Sequence, residues 1–194
     1  MHPSYCLLTA DMRSPKSIKH NGRLVSEILE SHRRFVRGDE TGARADLSGA
    51  DLSCVNLERE NLDLVDFHGA NLNGANLHDA RLSSTNLSKA TLRGADLRKA
   101  DLTEANLSGA DLTKAKAGGA ELFRADLRGA ILRGANFVAS NFRLAEVRGA
   151  DFTGADLKTT VLRETDLDGV DLSGLDLSTT LLPRGYKQPI PAKS

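Results

Sequence analysis

A chain of 194 residues fits one domain by length, and with no Trp and only 4% aromatic residues it suits a narrow core rather than a broad one. Twenty-six basic residues balance twenty-six acidic ones, so no whole-molecule field draws nucleic acid or a membrane surface. Cys6 and Cys54 are too few for a disulfide framework or a zinc site, which leaves only a chance pairing of the two, and the lack of an opening apolar segment or a long apolar run points to a cytoplasmic protein that spans no membrane.

In chain order, residues 1–20 show no period and are expected to be loosely ordered. Residues 21–44 hold a helix and a linker. Over 23–37, Leu24, Ile28 and Phe35 fall near helical spacing, with Val25, Leu29 and Val36 beside them. Asn21 is the expected N-cap and Gly38 the expected stop. Arg33, Arg34 and Arg37 sit near the C-terminus, where cations suit the helix dipole. The helix reads as a cap on the long segment C-terminal to it. The other reading is a basic partner-binding helix.

From Leu47 to Leu182 a core-type residue recurs every five positions. Of these 28 positions, 22 are Leu, four are Phe (Phe67, Phe137, Phe142, Phe152), and the others are Val147 and Ala117. Two residues before each sits a small residue, mostly Ala. A period of five fits neither a helix nor a plain strand. It closes if each pentapeptide forms one side of a square coil, with the Leu and the small residue pointing inward. The residue two after the core position is then a corner. On the first two sides of the square 11 of 14 corners are Gly, whereas sides three and four together have only Gly119. Gly tolerates positive φ, so type II turns are expected on sides one and two and another turn on three and four. Seven coils at about 4.8 Å make a rod of roughly 34 Å.

On these residues, 45–184, the chain resembles the pentapeptide-repeat family. The resemblance implies an all-β solenoid, a right-handed quadrilateral β-helix of seven coils, here with an N-terminal α-helical cap. Pro183 ends the pattern. Tyr186 and Ile190 are expected to fold over the last coil, and 185–194 is otherwise a tail.

Two positions break the repeat. Ala117 replaces a core Leu between Leu97 and Phe137 of the adjoining coils, which implies either volume compensation by Phe137 or a local bend. Compensation is favoured because the register continues. Glu60 stands where a small inward residue belongs, and an arginine of the cap region or water is the expected partner.

No catalytic constellation is legible, and no cofactor or metal is implied. His68 and His78 fall on different sides, and Asp, Asn and Ser recur because the repeat uses them. The Asp or Asn before each core residue is expected to bond the turn backbone. Apolar residues at outward positions carry more information. Side four has Leu64, then Phe123, Leu144, Val161 and Leu181, with Val138 next to it on side three and Arg124, Arg143 and Arg163 flanking the row. Apolar residues rimmed by arginine suit a protein partner. The expected function is therefore a non-enzymatic, cytoplasmic scaffold offering a rigid wall to an unknown protein. The family resemblance implies an alternative: a DNA mimic that binds DNA gyrase and protects against quinolones, through the side-one column Asp46, Asp66, Asp126, Glu146 and Asp166. Interspersed arginines neutralise that surface, and direct nucleic-acid binding is not expected because stacking aromatics are missing. The assembly is expected to be a monomer or an end-to-end dimer.

Overall fold

A pentapeptide has five backbone N–H groups, and burial requires a partner for each. The repeat around Leu107 shows how the fold supplies them. Leu107 and Gly109 donate to Asp126 and Arg128 of the next coil (2.7 and 2.9 Å), and Asn106 donates to Thr85 of the previous one (2.9 Å). Ala105 donates across the preceding corner to Leu102 (3.0 Å). The fifth, Ser108, is taken by the Asn106 side chain (3.0 Å), so the Asp or Asn before a core position bonds the turn, as its chemistry suggests. The computed structural model describes residues 12–187 and repeats the coil-to-coil bonds of this scheme from Leu47 as far as Phe142.

Parallel bridges join residues twenty apart, as in Asp46 to Asp66 and Asn61 to Arg81, and four such columns make the four walls of a quadrilateral β-helix. Sides one and four are bridged as far as Asp166 and Leu181, whereas sides two and three stop at Asp151 and Asp156. The final stretch is thus held on two walls only, and its core residues Leu175, Leu177 and Leu182 are half-buried, with Tyr186 packed against the core beside them. Ile190 lies outside the described residues. Elsewhere the core is a sealed stack of Leu, Phe and Ala. Where Ser or Thr replaces the small residue, the hydroxyl is satisfied: Ser140, Thr160 and Thr180 donate to the carbonyls of Ala117, Phe137 and Leu157 at 2.7 to 2.8 Å.

The corners differ from expectation. All four sides share one turn. Arg59, Leu64, Lys99, Glu104, Ala139 and Leu144, all on sides three and four, have φ between 57° and 68°. The corner hydrogen bond, such as Glu60 N–H to Leu57 (3.2 Å), is present there too, which is the type II pattern. A Cβ built at Gly49, Gly69 or Gly129 meets nothing within 4 Å, so space does not demand glycine on sides one and two. Nothing in the structure explains why those sides prefer it.

Ahead of the solenoid, residues 12–44 carry their own structure. Arg13 pairs with the first coil through a bridge to Val55, and its guanidinium reaches Asp51 and Ser53 (both 3.1 Å). A 3-10 turn (Pro15–Ser17) leads to a hairpin, β1 (Lys19–His20) and β2 (Arg23–Leu24). Asn21 and Gly22, with φ of 49° and 79°, are its two-residue turn, so Asn21 caps no helix. Helix α1 is Val25–Val36; Leu24 is its N-cap residue and gives its N–H to the Glu27 carboxylate (3.2 Å). Gly38, with φ of 79°, ends it as expected. Val25, Ile28 and Leu29 are buried, while Phe35 and Val36 stand part-exposed at its end. Ser31 and His32 bind the amides of Ala43 and Ala45, which aims the chain into the first coil. Cys54 is disulfide-bonded; Cys6 lies outside the described residues.

Ala117 causes no bend. Its N–H meets Asn136 at 2.7 Å and that of Leu97 meets Lys116 at 2.7 Å, the same lengths as elsewhere in the ladder. Glu60 is held by Arg33 of α1, the partner anticipated for it.

Candidate partner-binding surface

Side four is positioned by the bridges Glu121–Asn141, Asn141–Val161 and Val161–Leu181, so these residues stack in one column. One place past the core, Phe123, Arg143 and Arg163 form a second column; at the corner, Arg124, Leu144 and Glu164 form a third. Leu144 and Leu181 are 37% and 42% exposed, too much for core residues, and Phe123 and Val161 are half-buried. The apolar residues are therefore spread over three columns rather than along one. Val138 is half-buried on the neighbouring side three. Leu64, at 43% exposure, is remote in the first coil, where its carbonyl accepts from Arg44 (2.5 Å).

The arginines are not equivalent. The Arg124 guanidinium lies 5.0 Å from the centre of the Phe123 ring and 3.6 Å from Glu104. Arg143 turns away from its column to put two nitrogens on Glu164, each at 3.1 Å. Arg163 is exposed and has no ion pair among the described residues. Glu104 and Glu164 do not stand out in the sequence as part of this surface. The coil register is the signal that locates them, since Glu104 lies one coil before Arg124 and Glu164 one coil and one residue after Arg143. Burial pushes the Glu121 carboxyl up, against the pull of the Phe123 N–H and the Asn141 amide.

The side-one acids do form a continuous stack, with Asn86 and Asn106 between Asp66 and Asp126. Their charge is partly spent. Asp46, Asp66 and Asp166 accept the turn amides of Ser48, His68 and Asp168 at 2.9 to 3.0 Å. Arg128 bridges Asp126 and Glu146 at 2.7 and 3.1 Å. On side two the Thr153 hydroxyl and N–H, with Arg133, hold Asp151 down at about 2.

The two solenoid histidines do not converge. His68 bonds Ser88 on side one (2.8 Å), while His78 faces Glu58 and Asp79 on side three. Among the described residues no group of His, Cys, Asp and Glu could hold a metal, and no helix is long and apolar enough to cross a membrane.

A model of the pentapeptide-repeat family matches residues 43–79, 80–116, 120–158 and 148–182. The chain belongs to the pentapeptide-repeat family. Among solved pentapeptide-repeat proteins, it is similar to HetL of the cyanobacterium Nostoc sp. strain PCC 7120, involved in heterocyst differentiation regulation, at 32% identity over 75% of this chain and 73% of that one (TM-score 0.36). Rfr23 of Cyanothece 51142 is 28% identical over 71% and 88% (TM-score 0.42). A pentapeptide-repeat protein of the Arabidopsis thaliana thylakoid lumen is 34% identical over 54% and 69% (TM-score 0.30). No curated protein matches the chain.

Proposed function

We propose that this pentapeptide-repeat protein is a non-enzymatic scaffold, a right-handed rod of seven coils whose fourth side binds a protein partner over its C-terminal half. The observation that carries the reading is the exposure of Leu144 and Leu181 at outward positions where the repeat mostly places polar residues, with Phe123 and Val161 half-buried on the same wall. Phe123 and Val161 extend the row, and arginines border it. A ladder that satisfies its own backbone along the rod loses little freedom on binding, which favours recognition by a flat wall. Affinity capture tests it. Wild type is compared with Leu144→Arg and with Ile131→Arg, an exposed apolar position on side two. A partner retained by wild type and Ile131→Arg, and lost by Leu144→Arg, supports the reading; a partner indifferent to Leu144→Arg rejects it.

The stacked side-one acids favour a second reading, mimicry of duplex DNA toward gyrase. Arg128 counts against it, because one guanidinium bridges Asp126 and Glu146 and halves their charge. Gyrase supercoiling with and without a quinolone separates the two readings: inhibition, or rescue from cleavage, favours mimicry, and no effect at high concentration removes it.

A further inference from the structure

We infer that the occupant of side four is an acidic amphipathic α-helix lying along the rod, an inference that rests on the scaffold reading above. Three features of the wall carry it.

The first is charge. Residues 45–184 hold 16 basic and 21 acidic side chains. The C-terminal half of side four reverses that balance, with Arg124, Arg143, Arg163 and Arg184 against Glu121 and Glu164. Two of these arginines are already neutralised by the exposed carboxylates of Glu104 and Glu164. Those partners show the chemistry the arginines accept, and both carboxylates are exposed enough to turn out to water when a ligand carboxylate replaces them.

The second is spacing. Coils repeat at about 4.8 Å, and an α-helix advances about 5.4 Å per turn. Over four coils the two stay in step to within about 2 Å, so one apolar residue per turn, at i, i+4, i+7 and i+11, meets Phe123, Leu144, Val161 and Leu181 in succession. The lateral scatter of those four residues suits the width of a helix's apolar stripe better than the single line of a strand.

The third is the backbone. An extended peptide gains affinity by pairing with a free sheet edge. Side four is a wall between coils rather than an edge, and its backbone pairs coil to coil at Leu122 to Asn141, Arg124 to Arg143, Phe142 to Val161 and Leu162 to Leu181. Recognition must therefore come through side chains.

The test uses a labelled 18-residue peptide with Leu at i, i+4, i+7 and i+11 and Glu beside them, titrated by fluorescence anisotropy against the full chain. We expect binding that weakens at least tenfold for Leu144→Arg, for Arg163→Glu, for a peptide with Lys in place of Glu, and for one interrupted by Pro. Equal binding of the Lys or Pro peptide, or no binding of the acidic peptide, overturns the inference. Circular dichroism of each variant shows that the β-helix is intact. If no peptide binds but wild type still captures a protein that Leu144→Arg loses, the wall stands and the helix class falls. If Leu144→Arg loses nothing in either assay, both fall.

Discussion

Arg33 of the cap helix grips Glu60 of the first coil with two nitrogens, Nε at 3.2 Å and Nη2 at 2.8 Å, while its Nη1 holds Glu30 at 2.8 Å. Glu60 occupies a place that the repeat elsewhere gives mostly to Ala. The exception exists because this coil meets a helix rather than another coil. We expect Arg33→Ala to destabilise the protein by about 1–2 kcal/mol, reduced from the cost of a fully buried orphan because the carboxylate keeps some access to water. Glu60→Ala restores the repeat's usual residue and should cost less. Adding Glu60→Ala to Arg33→Ala should recover part of the loss. Urea melts of the four proteins measure this, and strict additivity would mean that the two side chains do not communicate.

His32 provides a pH dependence of known sign. It is fully buried, and its Nδ1 accepts the Ala45 N–H at 3.2 Å, so the neutral ring is the form that fits. Burial lowers its pKa below 6.5, against the opposing pull of Asp63 and with a small push from Arg44. The unfolded chain therefore binds a proton in a range where the folded one does not. Stability is full above pH 6.5 and falls as acid carries the pH down through the folded value. The protection factor of the Ala45 amide, exchange corrected for its intrinsic slowing in acid, should fall between pH 7 and about 5, before carboxylates contribute. His32→Gln should lose that dependence. A flat profile in wild type would show that the ring does not hold the joint.

Gly42 is fixed by close approach rather than by φ. A Cβ there would lie 2.0 Å from the Phe35 nitrogen and 2.5 Å from the Arg34 carbonyl carbon, both backbone atoms that cannot step aside. Gly42→Ala should cost about 2–3 kcal/mol and loosen α1 first. Gly49→Ala meets nothing within 4 Å and carries only the φ penalty, so thermal melts of the pair separate contact from conformation.

Ala117 and Phe137 test whether volume is shared between coils. Both are fully buried, and Phe137 packs edge-on against Phe142 with ring centres 4.9 Å apart. Ala117→Leu should overpack the core by about 1–3 kcal/mol. Phe137→Leu alone should leave a gap, and the double variant should lie close to wild type. A double-mutant cycle with no coupling would show that Ala117 is simply a smaller residue in a forgiving stack.

The solenoid is legible because its information is local and repeated. Every core Leu announces itself five residues from the next, and each Asp or Asn before it bonds its own turn. The pairing of Glu60 is legible too, because a buried acid needs a cation and the cap supplies one. The features that escape the sequence are nonlocal or differently coded. Arg13 pairs with Val55, a contact between distant residues that no short-range pattern signals. The hairpin is readable in principle, since Asn21-Gly22 is a turn signature, but Asn is equally a helix N-cap residue and a helical pattern begins just beyond it. On the wall the apolar residues are visible in the sequence. The ion pairs that restrain Arg124 and Arg143 are not, because only the coil register brings Glu104 and Glu164 beside them.

Corner composition misleads in a way that yields a last prediction. Glycine marks sides one and two, yet residues of many kinds adopt the same left-handed corner on sides three and four. Thr159 is the least suited, a β-branched residue at φ 56°. Its hydroxyl bonds the Lys158 carbonyl at 2.6 Å, a local contact that offsets some of the strain. Its N–H donates to the Thr179 hydroxyl at 3.1 Å, and glycine preserves that bond. Thr159→Gly should therefore stabilise the rod by about 0.5–1 kcal/mol, because relief of the left-handed strain exceeds the added freedom of the unfolded chain. Thr153→Gly, one residue before a corner and not itself left-handed, should destabilise instead, since it loses the hydroxyl that donates to Asp151 at 2.6 Å. Opposite shifts in melting temperature for these two glycines would establish that the corner φ sets the preference; shifts of the same sign would refute it.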